Sequence, residues 1–339
     1  MMNKKFNIID VQSHFLPEKW INEISKRNDY PMVEKITEDK WLIHGSEYDN
    51  LPYHTKKSGI DINAKLKEMD GAGIDMTILT LSPPGPDNTS DGKEADRLAK
   101  ISNDGIAEIV SCYPDRFRGV ANLGYGNMED SIKELNRCID ELNFVGLQVY
   151  PYARGGMGID DVSFRPSFRI LEEKGIPLIL HPGSPINKDY ASYKMGPLVG
   201  YWFDDAMAMM KLILSGLFEE LPNLKVVCPH AWSVLPFLID RIDIQVSRFP
   251  KFFAGNIKKV PSEYLKNVFT DCNNFSTDTL KFSINKMGGV NKMMFGSDSP
   301  FVEAKFVANL ILELGLPSKD IEKIFYNNAK ELFKIKDLK

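Results

Sequence analysis

Five residues combine metal-ligand or proton-transfer chemistry with one kind of position. Gln12, His14, His181, His230 and Asp298 each stand at or just past the end of a short apolar run. Those runs are Ile8-Ile9-Asp10-Val11, Ile176 to Leu180, Leu224 to Cys228, and Lys292 to Phe295. Gln12 and His14 are two apart, and in extended chain such residues share a face, so both can address one point. Imidazole nitrogen and carboxylate oxygen suit a divalent zinc, manganese or iron centre. A single histidine of this kind reads as an ordinary core or cap residue. Three of the chain's five histidines at strand ends read as a metal or catalytic site.

The elements that must position these residues follow from periodicity. Apolar runs predict strands over 6–11, 75–81, 117–123, 145–150, 176–180, 224–228, 267–271 and 292–295. Between them, capped amphipathic segments predict helices over 61–71 (stopping at Gly71 or Gly73), 92–113, 128–142, 167–174 (stopping at Gly175), 203–219, 235–249 and 278–287, with a final pair over 303–314 and 318–333. Eight strands alternating with helices are the signature of a closed (β/α)8 TIM-like barrel, whose strands deliver their carboxyl ends to one mouth. A doubly wound open sheet is disfavoured by the count and by the lack of a Gly-x-Gly-x-x-Gly after any strand. Residues 18–60 interrupt the pattern after the first strand, and the alternating stretch from Lys40 to Gly45 reads as a small hairpin strand. The expectation is a single domain over 1–339, with 18–60 inserted as a cap over the barrel mouth.

Composition narrows the function classes. The chain has 339 residues, 43% hydrophobic and 26% charged, with 42 Lys plus Arg against 46 Asp plus Glu for a net charge of -4. Nothing in that balance suggests a nucleic-acid-binding surface. The longest apolar runs fall short of a membrane span, and no export signal precedes the first strand, so a cytoplasmic protein is expected. Cys112, Cys138, Cys228 and Cys272 are scattered without a Cys-x-x-Cys, which reads as buried thiols rather than a zinc knuckle or disulfide framework.

Taken together, Asp10-Val11-Gln12-Ser13-His14-Phe15-Leu16-Pro17, Leu180-His181-Pro182, Pro229-His230 with Pro236 and Arg241, and Phe295-Gly296-Ser297-Asp298-Ser299-Pro300 resemble the signature set of the amidohydrolase superfamily. The branch resembled contains aminocarboxymuconate-semialdehyde decarboxylase and related decarboxylases and hydrolases. Tyr113 to Phe117 and Gly158 to Pro166 add to the likeness, which runs from Ile8 to Phe333. The resemblance implies one divalent metal, zinc first and manganese second, held by Gln12, His14, His181 and Asp298, with Asp298 and His230 as catalytic groups. It also implies a homodimer. Gln148 stands in the fourth strand where a lysine bridging two metals would be needed, so one metal is expected. Gln12 departs from the family's usual histidine or glutamate, and Ala231-Trp232 from its usual glycines.

The activity so implied is non-oxidative decarboxylation of a small unsaturated or aromatic carboxylic acid. Metal-dependent hydrolysis of a lactone or amide would use the same residues, and a catalytically decayed barrel kept as a binding protein is a third reading, motivated by Gln12. The small-molecule acid is expected to meet Arg154, Trp202 and Trp232, with Lys56, Lys57 and Tyr201 as further candidates. His44 and His54 are read as surface residues of the insertion.

Overall fold

The computed structural model describes residues 6–37, 40–46, 53–54, 56–184, 186–336 and 338. Eight parallel strands form its centre, in order Ile9–Phe15, Met76–Leu81, Phe117–Gly119, Leu147–Val149, Leu178–Leu180, Val226–Cys228, Val268–Asp271 and Met293–Met294. The first three pair side by side, as do the last five. Parallel bridges Ala121 to Leu147 and Ser13 to Ser299 join the two arcs. At these seams Gln148 N–H donates to Ala121 O (2.9 Å) and His14 N–H to Ser299 O (2.7 Å), so the sheet closes on itself as the predicted barrel.

Period-two alternation decides what the strands bury. Ile9, Val11, Met76, Ile78, Val120, Ile179, Val227 and Met294 form one apolar cluster with Tyr326, Ala329, Leu332, Phe333 and Ile335 from the C-terminal helical segment. That segment closes the end of the barrel where the strands begin. Leu178, Leu180, Val226 and Cys228 belong instead to the cluster shared with the surrounding helices. With one end plugged by hydrocarbon, the polar strand ends have only the opposite mouth to occupy.

The first strand departs from its expected span. It covers Ile9–Phe15 rather than 6–11, so Gln12 and His14 lie inside it and not past its end. Its pairing steps from Asp10 opposite Thr77 to Ser13 opposite Leu79, a bulge with one extra residue. The helix after the insertion spans Ile62–Ala72, with the Asp61 carboxylate accepting from Asn63 N (2.8 Å) and Ala64 N (3.3 Å), and it stops at Gly73 with φ 76°. The helix expected over 203–219 is instead two, Tyr201–Leu214 and Leu217–Glu220, because Gly216 turns left-handed at φ 83° between them. Within 18–60, the helix Glu18–Ile24 buries Trp20, Ile21 and Ile24, and Lys40–His44 pairs with Met32–Thr37 and Tyr53–His54 as an antiparallel sheet. The His54 side chain lies outside the described residues. Cys138, Cys228 and Cys272 are buried free thiols; Cys112 is exposed.

Candidate metal centre and active site

His14, His181 and Asp298 converge at the mouth, each offering a ligand atom within 4.8 Å of the others. His14 Nε2 lies 3.0 Å and His181 Nε2 3.7 Å from Asp298 Oδ1. The far nitrogen of each ring is already engaged. His181 Nδ1 donates to Pro182 O at 2.8 Å. Thr80 Oγ1 gives its hydrogen to Ser13 O (3.2 Å) and accepts from His14 Nδ1 at 2.8 Å. Both bonds leave the Nε2 lone pairs pointing inward, the arrangement that prepares histidines for a metal. Burial first, then the neighbouring His181, push the His14 imidazole down to about 4, so it is neutral. Burial alone would push the Asp298 carboxyl up, but the close approach of His14 and His181 and the charge of nearby His230 hold it well below the usual carboxylate range. Two imidazoles with Nε2 turned inward and one carboxylate, buried and mutually close, fit a single divalent ion with positions left open for a ligand.

His230 is carried on an unusual turn. His230, Ala231, Trp232 and Ser233 all have positive φ, at 57°, 54°, 61° and 55°. Left-handed backbone costs an ordinary residue about 1–2 kcal/mol, so the surroundings must impose it. His230 N–H donates to Asp271 Oδ1 (3.0 Å), Trp232 N–H to Thr270 Oγ1 (2.9 Å) and Ser233 N–H to His230 O (2.8 Å). The ring is then fixed by Nδ1 donating to Asp205 Oδ2 at 3.1 Å. Burial by itself would lower the imidazolium, yet the Asp205 bond and charge outweigh it and raise His230 to about 9. A cation therefore sits beside the ligand cluster at neutral pH. Asp298 has the same backbone peculiarity, with φ 59°.

Gln12 faces this second group. Its amide is satisfied with Nε2 donating to Asp271, 2.6 Å from Oδ2 and 3.3 Å from Oδ1. The other end of the amide then lies 3.4 Å from His230 Nε2. Gly296 packs so closely here that a Cβ on it would come 2.5 Å from Asp271 Cβ and 3.0 Å from Gln12 Cβ.

A cavity of about 270 Å³ opens over these groups, lined by His181, His230, Asn273 and Asp298 on its floor and by Pro83, Pro84, Pro182, Pro197, Tyr201, Trp202, Phe275, Phe301 and Val302 on its walls. Trp202 stacks on the His230 ring, 5.6 Å between centroids and 3° between planes. Trp232 is fully buried behind the turn and is absent from the cavity lining. Arg154 lines a neighbouring cavity with Tyr152, Asp87 and Ser90, and Ser184 is common to both. Lys56 Nζ reaches Phe301 O at 3.5 Å on the rim, while Lys57 pairs with Asp61 at 3.8 Å.

Four functional groups escaped the sequence reading: Asp205, Asp271, Asn273 and Lys65. Asp271 ends the seventh strand and Asn273 lies two residues past it, and the strand-end rule that found His230 would have found them too. Asp205 opens an otherwise apolar helical stretch, and Lys65 lies on a charged helix, so neither carried a signal. Lys65 is 1% exposed, donating to Ser299 Oγ (2.9 Å) and His14 O (3.4 Å) beneath the metal cluster. Burial pushes its ammonium down to about 8.

The chain matches known proteins along almost its whole length. The family model described as amidohydrolase matches residues 9–335. The chain is 30% identical over 285 residues to a gamma-resorcylate decarboxylase from Polaromonas sp., covering 80% of this chain and 86% of that one. It is 30% identical over 311 residues to the 2-amino-3-carboxymuconate-6-semialdehyde decarboxylase of Dictyostelium discoideum, covering 90% and 85% respectively. Among solved structures, a dihydroxybenzoic acid decarboxylase from Polaromonas sp. with bound manganese and the inhibitor 2-nitroresorcinol superposes with a TM-score of 0.82 at 26% identity over 97% of each chain. With its family match running almost the full length of the barrel, the chain belongs to the amidohydrolase family.

Proposed function

We propose that the protein is a metal-dependent, non-oxidative decarboxylase of an aromatic carboxylic acid. The observation that carries this reading is the convergence of His14, His181 and Asp298, with their outer nitrogens engaged, beside a cationic His230 in one small cavity. The relatives' carbon–carbon chemistry supports it over hydrolysis or a decayed binding protein. Zinc and manganese both suit the donor set, and the manganese of the solved relative gives manganese equal standing.

When bound by His14, His181 and Asp298, the metal supplies a Lewis acid for the substrate's oxygens. His230, held cationic by Asp205, faces the same cavity and stabilises negative charge that grows on the ring as the carbon–carbon bond breaks. Asp298 is ionised at rest, so it is first protonated from solvent and then delivers that proton to the ring carbon, where it replaces the carboxylate as the carbon–carbon bond breaks and carbon dioxide leaves. Trp202, stacked on His230, keeps water from that face and lays down a flat surface for the ring.

The test is to measure carbon dioxide release from a panel of aromatic acids by protein reconstituted with zinc or with manganese, alongside elemental analysis. Release that requires metal supports the reading; ring opening of lactones without carbon dioxide release would replace it with hydrolysis. Homodimerisation stays a proposal resting on the family likeness, and size-exclusion chromatography checks it.

A further inference from the structure

Asp298 is held by its neighbours on either side along the chain. Before it, Ser297 donates to the buried Asp10 carboxylate from its N–H (2.9 Å) and from its Oγ (2.6 Å). After it, Ser299 N–H donates back to Ser297 Oγ at 3.1 Å. The Ser299 hydroxyl is engaged in both directions: it donates to Glu68 Oε2 (2.7 Å) and accepts from Lys65 Nζ (2.9 Å). Lys65 Nζ also reaches His14 O at 3.4 Å and Glu68 Oε2 at 3.9 Å. One ammonium on the helix Ile62–Ala72 therefore bonds the residue after Asp298 and the carbonyl of His14, two of the three proposed ligands.

These bonds lie where the first and eighth strands close the barrel, at the seam made by His14 N–H donating to Ser299 O at 2.7 Å. Asp298 needs such a hold because its backbone is left-handed at φ 59°, a conformation that the surroundings must impose. Lys65 is 1% exposed and absent from the cavity lining, so it touches neither solvent nor a bound ring. Burying an ammonium is costly, and a hydrocarbon side chain of similar length would fill the same place without that cost. Both hydrogen bonds that offset the cost run to strand ends that carry a ligand.

Resting on the metal site of that reading, we propose that Lys65 is a positioning residue: through Ser299 and the His14 carbonyl it fixes His14 and Asp298 against each other across the seam, and so sets how tightly the ion is held. Its charge works in the opposite sense, because a cation near the cluster repels a second one. Position and charge thus predict opposite results for its removal. Ser299→Ala separates them, since it takes away the shared anchor without changing any charge.

Calorimetric titration of zinc and of manganese into the chelator-stripped protein tests this, with thermal melts on the same metal-free samples. Ser299→Ala and Lys65→Met should each weaken metal binding by about 10–100-fold, the range for groups that orient ligands from behind. The double variant should bind about as weakly as the weaker single variant, because both substitutions break one bond. Tighter binding by Lys65→Met would show that its charge governs the ion, and overturns the proposal. Wild-type affinity in both single variants with lowered melting points would leave Lys65 a purely structural role and overturns it too, as do losses that multiply in the double variant. If Lys65→Met does not fold, Ser299→Ala still decides, by weaker metal binding or by wild-type affinity. A wild-type protein that takes up neither metal overturns the proposal together with the metal site. One that takes up metal but releases carbon dioxide from no acid sinks the decarboxylase reading and leaves Lys65 in its role.

Discussion

The Gln12 amide donates to Asp271 at 2.6 Å, tying the first strand to the carboxylate that ends the seventh. The pair is complementary in a directional sense: Gln12 supplies hydrogens, and Asp271 accepts them together with the His230 and Asn273 N–H groups. A carboxylate at position 12 would set two acceptors against each other. Gln12→Glu should therefore destabilise the protein by about 1–3 kcal/mol. Adding Asp271→Asn should recover most of that loss by reversing the direction of the bond. Denaturant melts of the two single variants and the double variant check this; a double variant no better than Gln12→Glu would mean the two side chains do not interact.

The metal cluster and His230 should separate experimentally. His181→Ala should reduce metal from about one ion per chain to a small fraction, since two ligands rarely hold a catalytic ion. His230→Gln should keep the metal and lower kcat by about 10²–10³-fold. Elemental analysis and steady-state kinetics on the same preparations read both, and loss of metal from His230→Gln would place that ring among the ligands.

The strained turn makes a prediction about Thr270. Its hydroxyl is the acceptor for the buried Trp232 N–H. Thr270→Val keeps the shape and removes the acceptor, at a cost of about 1–3 kcal/mol. Because the turn carries His230, kcat should fall while metal content stays constant.

Asp87 gives a pH dependence away from the metal. Its carboxyl is buried with Oδ1 unpartnered, and burial pushes it up to about 8 from 3.8. Between about pH 4 and 8 the folded state thus holds a proton that the unfolded state has lost, and stability falls by up to roughly 1.4 kcal/mol per pH unit across that window. Below it both states are protonated and the effect vanishes. Asp87→Asn should leave stability near pH 4 little changed and raise it at pH 8; equal melting curves at pH 8 would show that Asp87 ionises freely in the folded protein.

The barrel was legible because its strands are apolar runs and its helices are capped, as at Asp61 and Gly73. The first strand was misplaced because its second half, Gln12-Ser13-His14, carries polar side chains that serve the mouth and so breaks the apolar signal that marks a strand. His14, His181, His230 and Asp298 were found because strand ends of a barrel meet. Asp205 could not be, since its meaning depends on His230 arriving from another part of the chain. Tertiary placement likewise decided that Trp202, not Trp232, faces the cavity, and that Arg154 lines the adjoining one.

Four prolines, Pro83, Pro84, Pro182 and Pro197, stand in the cavity wall. A proline has one soft backbone dihedral already locked and no N–H to turn towards a guest. Such a wall loses little freedom when a ring enters, so affinity is not eroded by ordering the protein. The same rigidity leaves it unable to reshape itself around a larger guest, and a wider substrate range would have to arise by replacing these prolines rather than by enlarging the aromatic residues' repertoire.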